Sequence, residues 1–179
     1  MFSLRQREKT HPGKSRTKML SYEEITAKTI TLEKALEQFD ASFRKTHKLV
    51  FTNGCFDILH RGHIYYLSRA RALGDILVVG LNTDTSVSKL KGPGRPLNDE
   101  QARAEVLGGL AFVDHIILFS EETPLKLISH LKPDVLIKGG DYRKEDIVGY
   151  DEVRSWGGRV ETIPLLEGYS STSIIDKSR

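Results

Sequence analysis

Five short apolar runs, separated by helical patterns, constrain the fold of this chain more than any other feature. The runs that predict strands are 48–53, 75–81, 115–119, 134–138 and 159–163. The segments between them predict helices at 63–73, 85–90, 99–112, 124–131 and 144–156. Short apolar strands that alternate with helices are typical of right-handed β–α–β units. The sequence therefore predicts an α/β fold, with a Rossmann-like, doubly wound, five-stranded parallel sheet.

The charge distribution divides the chain of 179 residues into unequal parts. Residues 1–18 carry six Lys or Arg against Glu8, a net +5, whereas the whole chain carries +3 and its remainder therefore −2. We expect 1–20 to be a basic, disordered extension, 21–47 a lead-in formed by one amphipathic helix, and 48–179 the main domain. The basic arm leaves nucleic-acid binding open as an alternative, but the near-neutral body argues against it, and we expect no nucleic-acid partner.

Composition excludes several other classes of protein. The single cysteine, Cys55, excludes an internal disulfide and a cysteine-rich metal site, which suits a reducing compartment. No apolar run approaches the ~20 residues that a membrane span needs, and the basic start lacks the apolar stretch of a secretory signal. We therefore expect a cytoplasmic protein without membrane contact. We also expect a homo-oligomer, with a dimer favoured.

The segment after the first predicted strand has the chemistry of a phosphate site. Asn53 and Gly54 permit a tight turn, and Gly62 and His63 open the next predicted helix, whose free N–H groups attract anions. His60 and His63 add two donors beside those N–H groups. Two alternatives stay open, a purely structural role and a zinc site, although no third protein ligand is evident and Asp57 is the one nearby carboxylate.

Two later strands also end in residues suited to nucleotide binding. "KGGDY" follows the fourth strand, which should neighbour the first, and it supplies Lys138, Gly139 and Asp141 to a base or ribose. The alternative for this segment is a glycine turn with solvated charges. After the fifth strand, the hydroxyl groups of 170–172 predict a second phosphate cradle at the start of a last helix, although an ordinary helix cap is equally compatible.

Several motifs, in register along the chain, resemble one family. "NGCFDILHRGHIYYL" looks like the HxGH signature of the nucleotidyltransferase superfamily, and "LNTDTSV", "LKGPGRPLN", "QARAEVLGGLAFVD", "PDVLIKGGDY" and "GYSSTSII" match further. Together they resemble the adenylyltransferases that act on D-glycero-β-D-manno-heptose 1-phosphate, over residues 31–177. The resemblance implies a sheet of the HxGH type and a nucleotidyltransferase domain at 48–179. Bifunctional members carry a sugar-kinase domain ahead of this one, so the chain resembles the stand-alone transferase.

The resemblance also implies a reaction and a set of site residues. AMP would pass from ATP to the heptose 1-phosphate with release of pyrophosphate, and Mg²⁺ would arrive with the triphosphate, without dedicated protein ligands. The implied catalytic residues are His60, His63 and Lys91. The implied nucleotide-binding residues are Asn53, Gly54, Cys55, Phe56, Gly62, Lys138, Gly139, Asp141, Ser170, Ser171 and Thr172.

The glycine- and proline-containing segment "KLKGPGRP" predicts a mobile loop that closes over an anionic substrate. The resemblance implies phosphate contacts for Lys91, Arg95 and Arg103. The alternatives are a solvated charge run for the loop and a surface salt bridge for Arg103. Cys55 is expected to line the pocket rather than to act as a nucleophile, because no base is paired with it in the sequence.

The sequence departs from the family pattern at two positions and leaves other functions open. Ser171 stands where threonine is expected, and Tyr169 where a smaller residue is common, which puts the shape of the base pocket in question. One alternative is a cytidylyltransferase that acts on glycerol- or ethanolamine-phosphate, because it shares the HxGH architecture. Others are a nucleotide-binding module without catalysis and a nucleic-acid-binding protein that uses residues 1–18.

Overall fold

A computed structural model describes residues 19–166, 168, 169, 171, 174 and 175. The strands are β1 (Leu49–Gly54), β2 (Ile76–Asn82), β3 (His115–Phe119), β4 (Val135–Gly139) and β5 (Arg159–Ile163). The helices are α1 (Tyr22–Thr26), α2 (Leu32–Gln38), α3 (Arg61–Arg71), α4 (Asp84–Lys91), α5 (Glu100–Gly108), α6 (Leu125–Leu131) and α7 (Tyr150–Ser155). Two 3₁₀ turns lie at Phe43–Lys45 and Lys144–Asp146.

The five strands form one parallel sheet in the order β3-β2-β1-β4-β5. The predicted fold class is therefore confirmed, and so is the predicted contact between the first and fourth strands. Strand order reverses between β1 and β4, where Phe51 pairs with Val78 on one side and with Leu136 on the other. A crevice forms beyond the carboxyl ends of strands at such a reversal, and ligands bind there in open parallel sheets.

Both faces of the sheet are covered because alternate side chains of each strand point to opposite sides. In β1, Val50 belongs to one apolar cluster, while Leu49 and Phe51 belong to the other. Helices α3 and α5 pack against the first face, and α2, α6 and α7 against the second. Burial on both faces explains why the strands read as continuous apolar runs.

The lead-in differs from the prediction of one amphipathic helix, which is wrong. Two separate N-caps start two short helices, since the Ser21 side chain accepts from the Glu24 N–H and the Thr31 side chain from the Lys34 N–H. Between them the chain is extended and pairs with the outer edge of β3, through Ile30 N–H to the Ile116 carbonyl at 2.9 Å. The lead-in thus covers a sheet edge that would otherwise be open.

Other helix boundaries also differ from the sequence prediction. The helix expected at 144–156 is reduced to α7, because Gly149 has a φ of +92° and interrupts the helical path. The sequence pair Asn98 and Gln101 predicts a capping box at the start of α5, and this prediction is wrong. The helix begins after Asp99, whose side chain accepts from the Ala102 N–H, while the Asn98 side chain donates to the Asp57 carbonyl in the β1–α3 loop. Pro124 precedes the first residue of α6.

Among the described residues, no helix combines the length and apolar character needed to cross a membrane. Residues 1–18, where the basic extension was predicted, lie outside the described part of the chain. The proposed division into extension, lead-in and main domain stays a prediction.

Close packing in the middle of the sheet gives a test of this fold. A Cβ on Gly80 would lie 2.8 Å from the Phe51 ring and 3.3 Å from a Leu127 methyl group. Gly80→Ala should therefore lower the free energy of unfolding by about 1–3 kcal/mol, because an overpacked core must shift to accept the methyl group. Urea denaturation measures this change.

Gly109→Ala is the matched control, since φ is −66° there and an added Cβ meets no atom closer than 3.5 Å. It should change the unfolding free energy by less than about 0.5 kcal/mol. Equal stability of the two variants would contradict the packing described for β1, β2 and α6.

Candidate functional site

A cleft of about 500 Å³ opens at the carboxyl ends of β1 and β4, where strand order reverses. Twelve of the residues predicted from the sequence line it: Asn53, Gly54, Cys55, Phe56, His60, Gly62, His63, Lys91, Arg95, Lys138, Gly139 and Ser171. The sheet therefore gathers, at one edge, side chains that lie more than a hundred positions apart in the chain.

The two histidines of the cleft form a stacked pair. His60 is the N-cap residue of α3 and His63 lies in the first turn, so their rings stack with centroids 3.8 Å apart and planes 22° apart. Within the described residues, the Nδ1 atoms of both rings are buried and make no hydrogen bond. Buried polar atoms are nearly always paired, and in the cleft there is room for a ligand to supply partners for these two.

Burial keeps both imidazoles neutral in the free protein. Desolvation lowers the pKa of His63 to about 4, the neighbouring His60 adds to this effect, and the Ile58 carbonyl opposes it. Desolvation also lowers the pKa of His60. A neutral imidazole still carries one N–H donor, so at neutral pH each ring can donate a hydrogen bond without bringing a full charge.

Gly62, between the two histidines, makes their stacking possible. A Cβ at this position would lie 3.0 Å from the Cε1 and Nδ1 atoms of the His60 ring and 3.4 Å from the Cβ of Tyr169. Gly54 has a similar role under Phe56, whose ring would lie 2.9 Å from an added Cβ and also contacts the His63 ring. Both glycines therefore make room for rings at the base of the cleft.

Cationic side chains surround the same space. Lys138, at the end of β4, is half-buried, and desolvation lowers its pKa, with Lys91 adding to the effect and Cys55 opposing it. Lys91 is exposed at the last position of α4. No salt bridge joins either lysine to a carboxylate in the described part of the chain. These ammonium groups are available to an anionic ligand.

Asp57 organises the loop that carries Arg95. Its carboxylate accepts from Arg95 Nε at 2.6 Å, from Leu97 N–H at 2.7 Å and from Asn98 N–H at 3.2 Å. Burial alone would raise the pKa of Asp57, but these hydrogen bonds outweigh it and hold the pKa below its ordinary value. Asp57 therefore stays ionised and binds the segment after α4 to the β1–α3 loop. The segment after α4, which carries Arg95, is anchored by these hydrogen bonds.

Arg103 lies beneath the cleft and does not line it. Its side chain is fully buried and donates to the Cys55 carbonyl at 2.6 Å, to the Asp84 carboxylate at 2.7 Å and to the Asn98 carbonyl at 3.0 Å. The phosphate contact predicted for Arg103 therefore stays a prediction, and its salt bridge with Asp84 is made by a buried guanidinium rather than at the surface. Through these three hydrogen bonds, Arg103 joins three segments of the cleft wall.

The remaining predicted residues have varied positions. Asp141 is exposed and does not line the cleft, so its nucleotide contact stays a prediction. Ser171 lines the cleft and donates through Oγ to the Ile58 carbonyl at 3.2 Å. Ser170 and Thr172 lie outside the described residues. Burial raises the pKa of the Cys55 thiol despite nearby Lys91 and Arg103, which makes it a poor nucleophile.

Sequence reasoning missed residues whose roles depend on tertiary structure. They line the cleft without belonging to a predicted site: Tyr66, Asn82, Leu90, Leu165 and Leu166. Tyr66 shares a 2.5 Å hydrogen bond with Thr52 and donates to the Ile137 carbonyl, which ties α3 to β1 and β4. A tyrosine at a buried helix position three residues after His63 was the available signal, because a buried hydroxyl needs a partner.

The described residues contain no group of three or more His, Cys, Asp or Glu side chains arranged to hold a metal ion. The donor set of the cleft consists of imidazole, ammonium and guanidinium groups with one carboxylate already engaged, and it suits an anion. Any divalent cation would need most of its ligands from a bound substrate.

Comparison with known proteins identifies the family. A family model described as cytidylyltransferase-like matches residues 51–177. The chain belongs to this family. The match spans the whole cleft as described above, and it confirms the nucleotidyltransferase resemblance inferred from the HRGH segment.

Individual relatives of this cytidylyltransferase-like chain agree with that assignment. Bifunctional protein HldE from Syntrophotalea carbinolica is 51% identical over 154 residues, which cover 86% of this chain and 31% of that protein. Bifunctional protein HldE from Magnetococcus marinus is 59% identical over 130 residues, which cover 73% of this chain and 27% of that protein. The chain thus spans about a third of the length of the curated relatives it matches.

A solved structure shares the fold and part of the sequence. The lipopolysaccharide core biosynthesis protein from Thermoplasma volcanium GSS1 superposes with a TM-score of 0.56 at 31% identity, covering 69% of this chain and 99% of that one. The agreement supports the five-stranded parallel sheet described here for the cytidylyltransferase-like chain.

The space above Gly62 gives a direct test of the site. Gly62→Ala should displace the His60 ring from its stack on His63. The turnover number for nucleotidyl transfer should then fall about tenfold or more, because the His60 donor is no longer aligned. The thermal midpoint should stay close to the parent value, since helix α3 tolerates alanine. Steady-state kinetics with a melting curve measure both quantities.

Ile64→Ala, on the exposed surface of the same helix, is the control and should leave turnover unchanged. Parent-like turnover in Gly62→Ala would show that the stacked position of the His60 ring does not contribute to turnover.

Proposed function

We propose that this chain transfers AMP from ATP to D-glycero-β-D-manno-heptose 1-phosphate and releases pyrophosphate. One observation carries the proposal. Two neutral, stacked imidazoles at the start of α3 have unpaired nitrogens in a cleft that also holds Lys91 and Lys138. This combination of free N–H groups, a helix N-terminus and unpaired cations is what a polyphosphate ester requires.

The reaction needs positioning rather than a protein nucleophile. The phosphate oxygen of the sugar attacks the α-phosphorus of ATP in line with the departing pyrophosphate, and negative charge spreads over the equatorial oxygens. His60 and His63 donate hydrogen bonds to those oxygens. Lys91 neutralises the incoming phosphate, and Arg95, whose Nε is bound to Asp57, contacts it through its other guanidinium nitrogens. The acyl- or phosphoryl-enzyme chemistry of a cysteine is unnecessary, which agrees with the raised pKa of Cys55.

Magnesium enters the proposal as part of the substrate. Mg²⁺ binds through phosphate oxygens and waters with only one or two protein carboxylates, and this cleft offers no cluster of carboxylates among its described residues. When bound, the ion would neutralise the outer phosphates. ATP as a co-substrate with Mg²⁺ is therefore our proposal for the nucleotide.

The choice of acceptor rests on the sequence motifs together with the relatives. The motifs in register over residues 31–177 resemble heptose 1-phosphate adenylyltransferases. The related solved structure is named a lipopolysaccharide core biosynthesis protein, and an ADP-heptose product fits such a pathway. We further propose that the protein acts in the cytoplasm as a homodimer on small-molecule substrates, without nucleic acid or membrane partners.

A cytidylyltransferase that acts on glycerol- or ethanolamine-phosphate is the second candidate. Membership of the cytidylyltransferase-like family favours CTP. Leu165, Leu166 and Tyr66 are among the lining residues of the cleft, and their apolar surface suits either base. A nucleotide-binding module without catalysis is disfavoured, because it would not need a stacked pair of unpaired imidazoles facing two lysines.

A substrate panel tests the proposal. ATP, CTP, GTP and UTP are each combined with heptose 1-phosphate, glycerol 3-phosphate and ethanolamine phosphate, and pyrophosphate release is measured. We expect ATP with the heptose 1-phosphate to give the highest kcat/KM. A preference for CTP with an alcohol phosphate would favour the second candidate, and no release from any pair would contradict both.

His63→Ala tests the role of the imidazoles within that panel. Turnover should fall about a hundredfold or more, because a preorganised donor to the reacting phosphate is lost. The fold should be kept, since His63 lies in the first turn of α3 at the wall of the cleft and alanine is a strong helix former. His130→Ala, on the exposed side of α6, should retain parent turnover. Near-normal turnover in His63→Ala would exclude a phosphate contact for this residue.

The depressed pKa of His63 predicts proton uptake when ATP binds. Free His63 has a pKa of about 4 and is neutral at pH 5.5, whereas contact with phosphate favours the charged form and raises the pKa toward or above its ordinary value of 6.5. Binding at pH 5.5 should therefore take up a fraction of a proton, and binding at pH 8 should take up none. Calorimetry in two buffers of different ionisation enthalpy measures the uptake.

His63→Gln separates this effect from the titration of ATP itself. The variant should take up less proton than the parent at pH 5.5. Identical uptake in both proteins would show that His63 does not contact the phosphates.

A further inference from the structure

We infer that Arg61 is a further phosphate-binding residue of the cleft, that Tyr169 positions it, and that it contacts the outer phosphates that leave as pyrophosphate. The assignment to a leaving group rests on the proposed function. The assignment to an anion rests on the geometry and charge of the two residues alone. Tyr169 stands where the family resemblance leads one to expect a smaller residue. Arg61 occupies the position x of HxGH, for which the motif specifies no residue.

Arg61 and Tyr169 make a defined contact at the rim of the cleft. Arg61 Nη1 donates to the Tyr169 hydroxyl at 3.1 Å, and the guanidinium carbon lies 5.5 Å from the centre of the Tyr169 ring. Tyr169 lines the cleft, while Arg61 is exposed and directly follows His60 at the start of α3. Arg61 therefore lies at the rim of the cleft, in contact with Tyr169 and one position after His60 in the chain.

Among the described residues, no carboxylate balances the charge of Arg61. No salt bridge joins it to a carboxylate in the part of the chain that the structure describes, and the first turn of α3 contains no acidic residue. A cation at a helix N-terminus also faces the positive end of the helix dipole, where anions are favoured. Tyr169 is neutral, so it can orient the guanidinium without neutralising it. An anionic ligand would supply the missing charge.

Tyr169 is held in place by its surroundings. A Cβ on Gly62 would lie 3.4 Å from the Tyr169 Cβ, which places the tyrosine directly over the first turn of α3. Two residues further on, Ser171 Oγ donates to the Ile58 carbonyl at 3.2 Å. Tyr169 thus lies over the first turn of α3, Ser171 is bound to the β1–α3 loop, and Tyr169 can act as a positioning residue for Arg61.

The order of the strands indicates which phosphate Arg61 contacts. Lys91 and Arg95 follow β2 and lie on one side of the reversal in strand order, whereas Tyr169 follows β5 and lies on the other. In-line displacement at phosphorus places the entering and leaving oxygens on opposite sides. If the acceptor phosphate lies with Lys91 and Arg95, the leaving pyrophosphate departs toward Arg61 and Tyr169.

Helix α3 also contains a matched control pair. Arg69 lies over the ring of Tyr65 at 5.2 Å, so the same chemistry occurs on the same helix. Tyr65 and Arg69 line a separate groove beside β5 and do not line the cleft. Arg69 also lies in the last turn of α3, where a cation is favoured by the dipole.

Binding of inorganic pyrophosphate and of AMP to the full chain tests the inference. Arg61→Gln should weaken pyrophosphate binding about tenfold, since a charge-assisted hydrogen bond is lost, and should leave AMP binding unchanged. Tyr169→Phe should weaken pyrophosphate binding by a smaller factor, and that effect should vanish when Arg61 is already glutamine. Arg69→Gln should bind both ligands as the parent protein does.

Two outcomes would overturn the inference. Parent-like pyrophosphate binding by Arg61→Gln would show that Arg61 makes no contact, and equal weakening of pyrophosphate and AMP would show a general disturbance of the cleft. These titrations do not depend on turnover. If the substrate panel gives no pyrophosphate while Arg61→Gln still weakens pyrophosphate binding, the proposed reaction fails and the anion contact stands.

Discussion

The cleft depends on one buried guanidinium. Arg103 joins the β1–α3 loop, the start of α4 and the segment before α5, through Cys55, Asp84 and Asn98. Asn98 in turn donates to the backbone and side chain of Asp57, which holds Arg95. Because the Arg103 guanidinium is fully buried, loss of these acceptors would leave its charge without a partner away from water, which is unfavourable. This connected set fixes one wall of the cleft before any ligand arrives.

The start of α3 forms the other half of the site, and its geometry follows from small residues. Gly62 leaves room for the His60 ring above the helix, and Gly54 leaves room for Phe56 beside His63. The rings exclude water from each other, which lowers the pKa of both histidines. The site thus presents donors that are neutral when empty and that gain from becoming charged when phosphate is near.

The sequence was sufficient for the parts of the structure that depend on local pattern. All five strands agree with the apolar runs to within one residue at either end, because strands buried on both faces need continuous apolar sequence. The lead-in could not be predicted as two helices joined by a short segment paired with β3, since its pairing with Ile116 is a tertiary contact. The structural contacts of Arg103 could not be predicted for a similar reason. Its three acceptors lie 5, 19 and 48 positions away, and no local pattern distinguishes such a brace from a ligand contact.

The empty cleft is electrostatically unbalanced, and this imbalance is consistent with its proposed use. Lys138 is half-buried with a depressed pKa, Lys91 repels it, and Arg61 lies at the positive end of a helix dipole. Asp57, the buried carboxylate of the cleft, is already engaged by Arg95. Placing these cationic groups close together is unfavourable in the free protein. The favourable free energy of folding from the sheet and from the Arg103 contacts offsets this repulsion. Because the groups are already in place, a bound triphosphate meets donors that need little reorganisation, which is the physical basis of electrostatic catalysis.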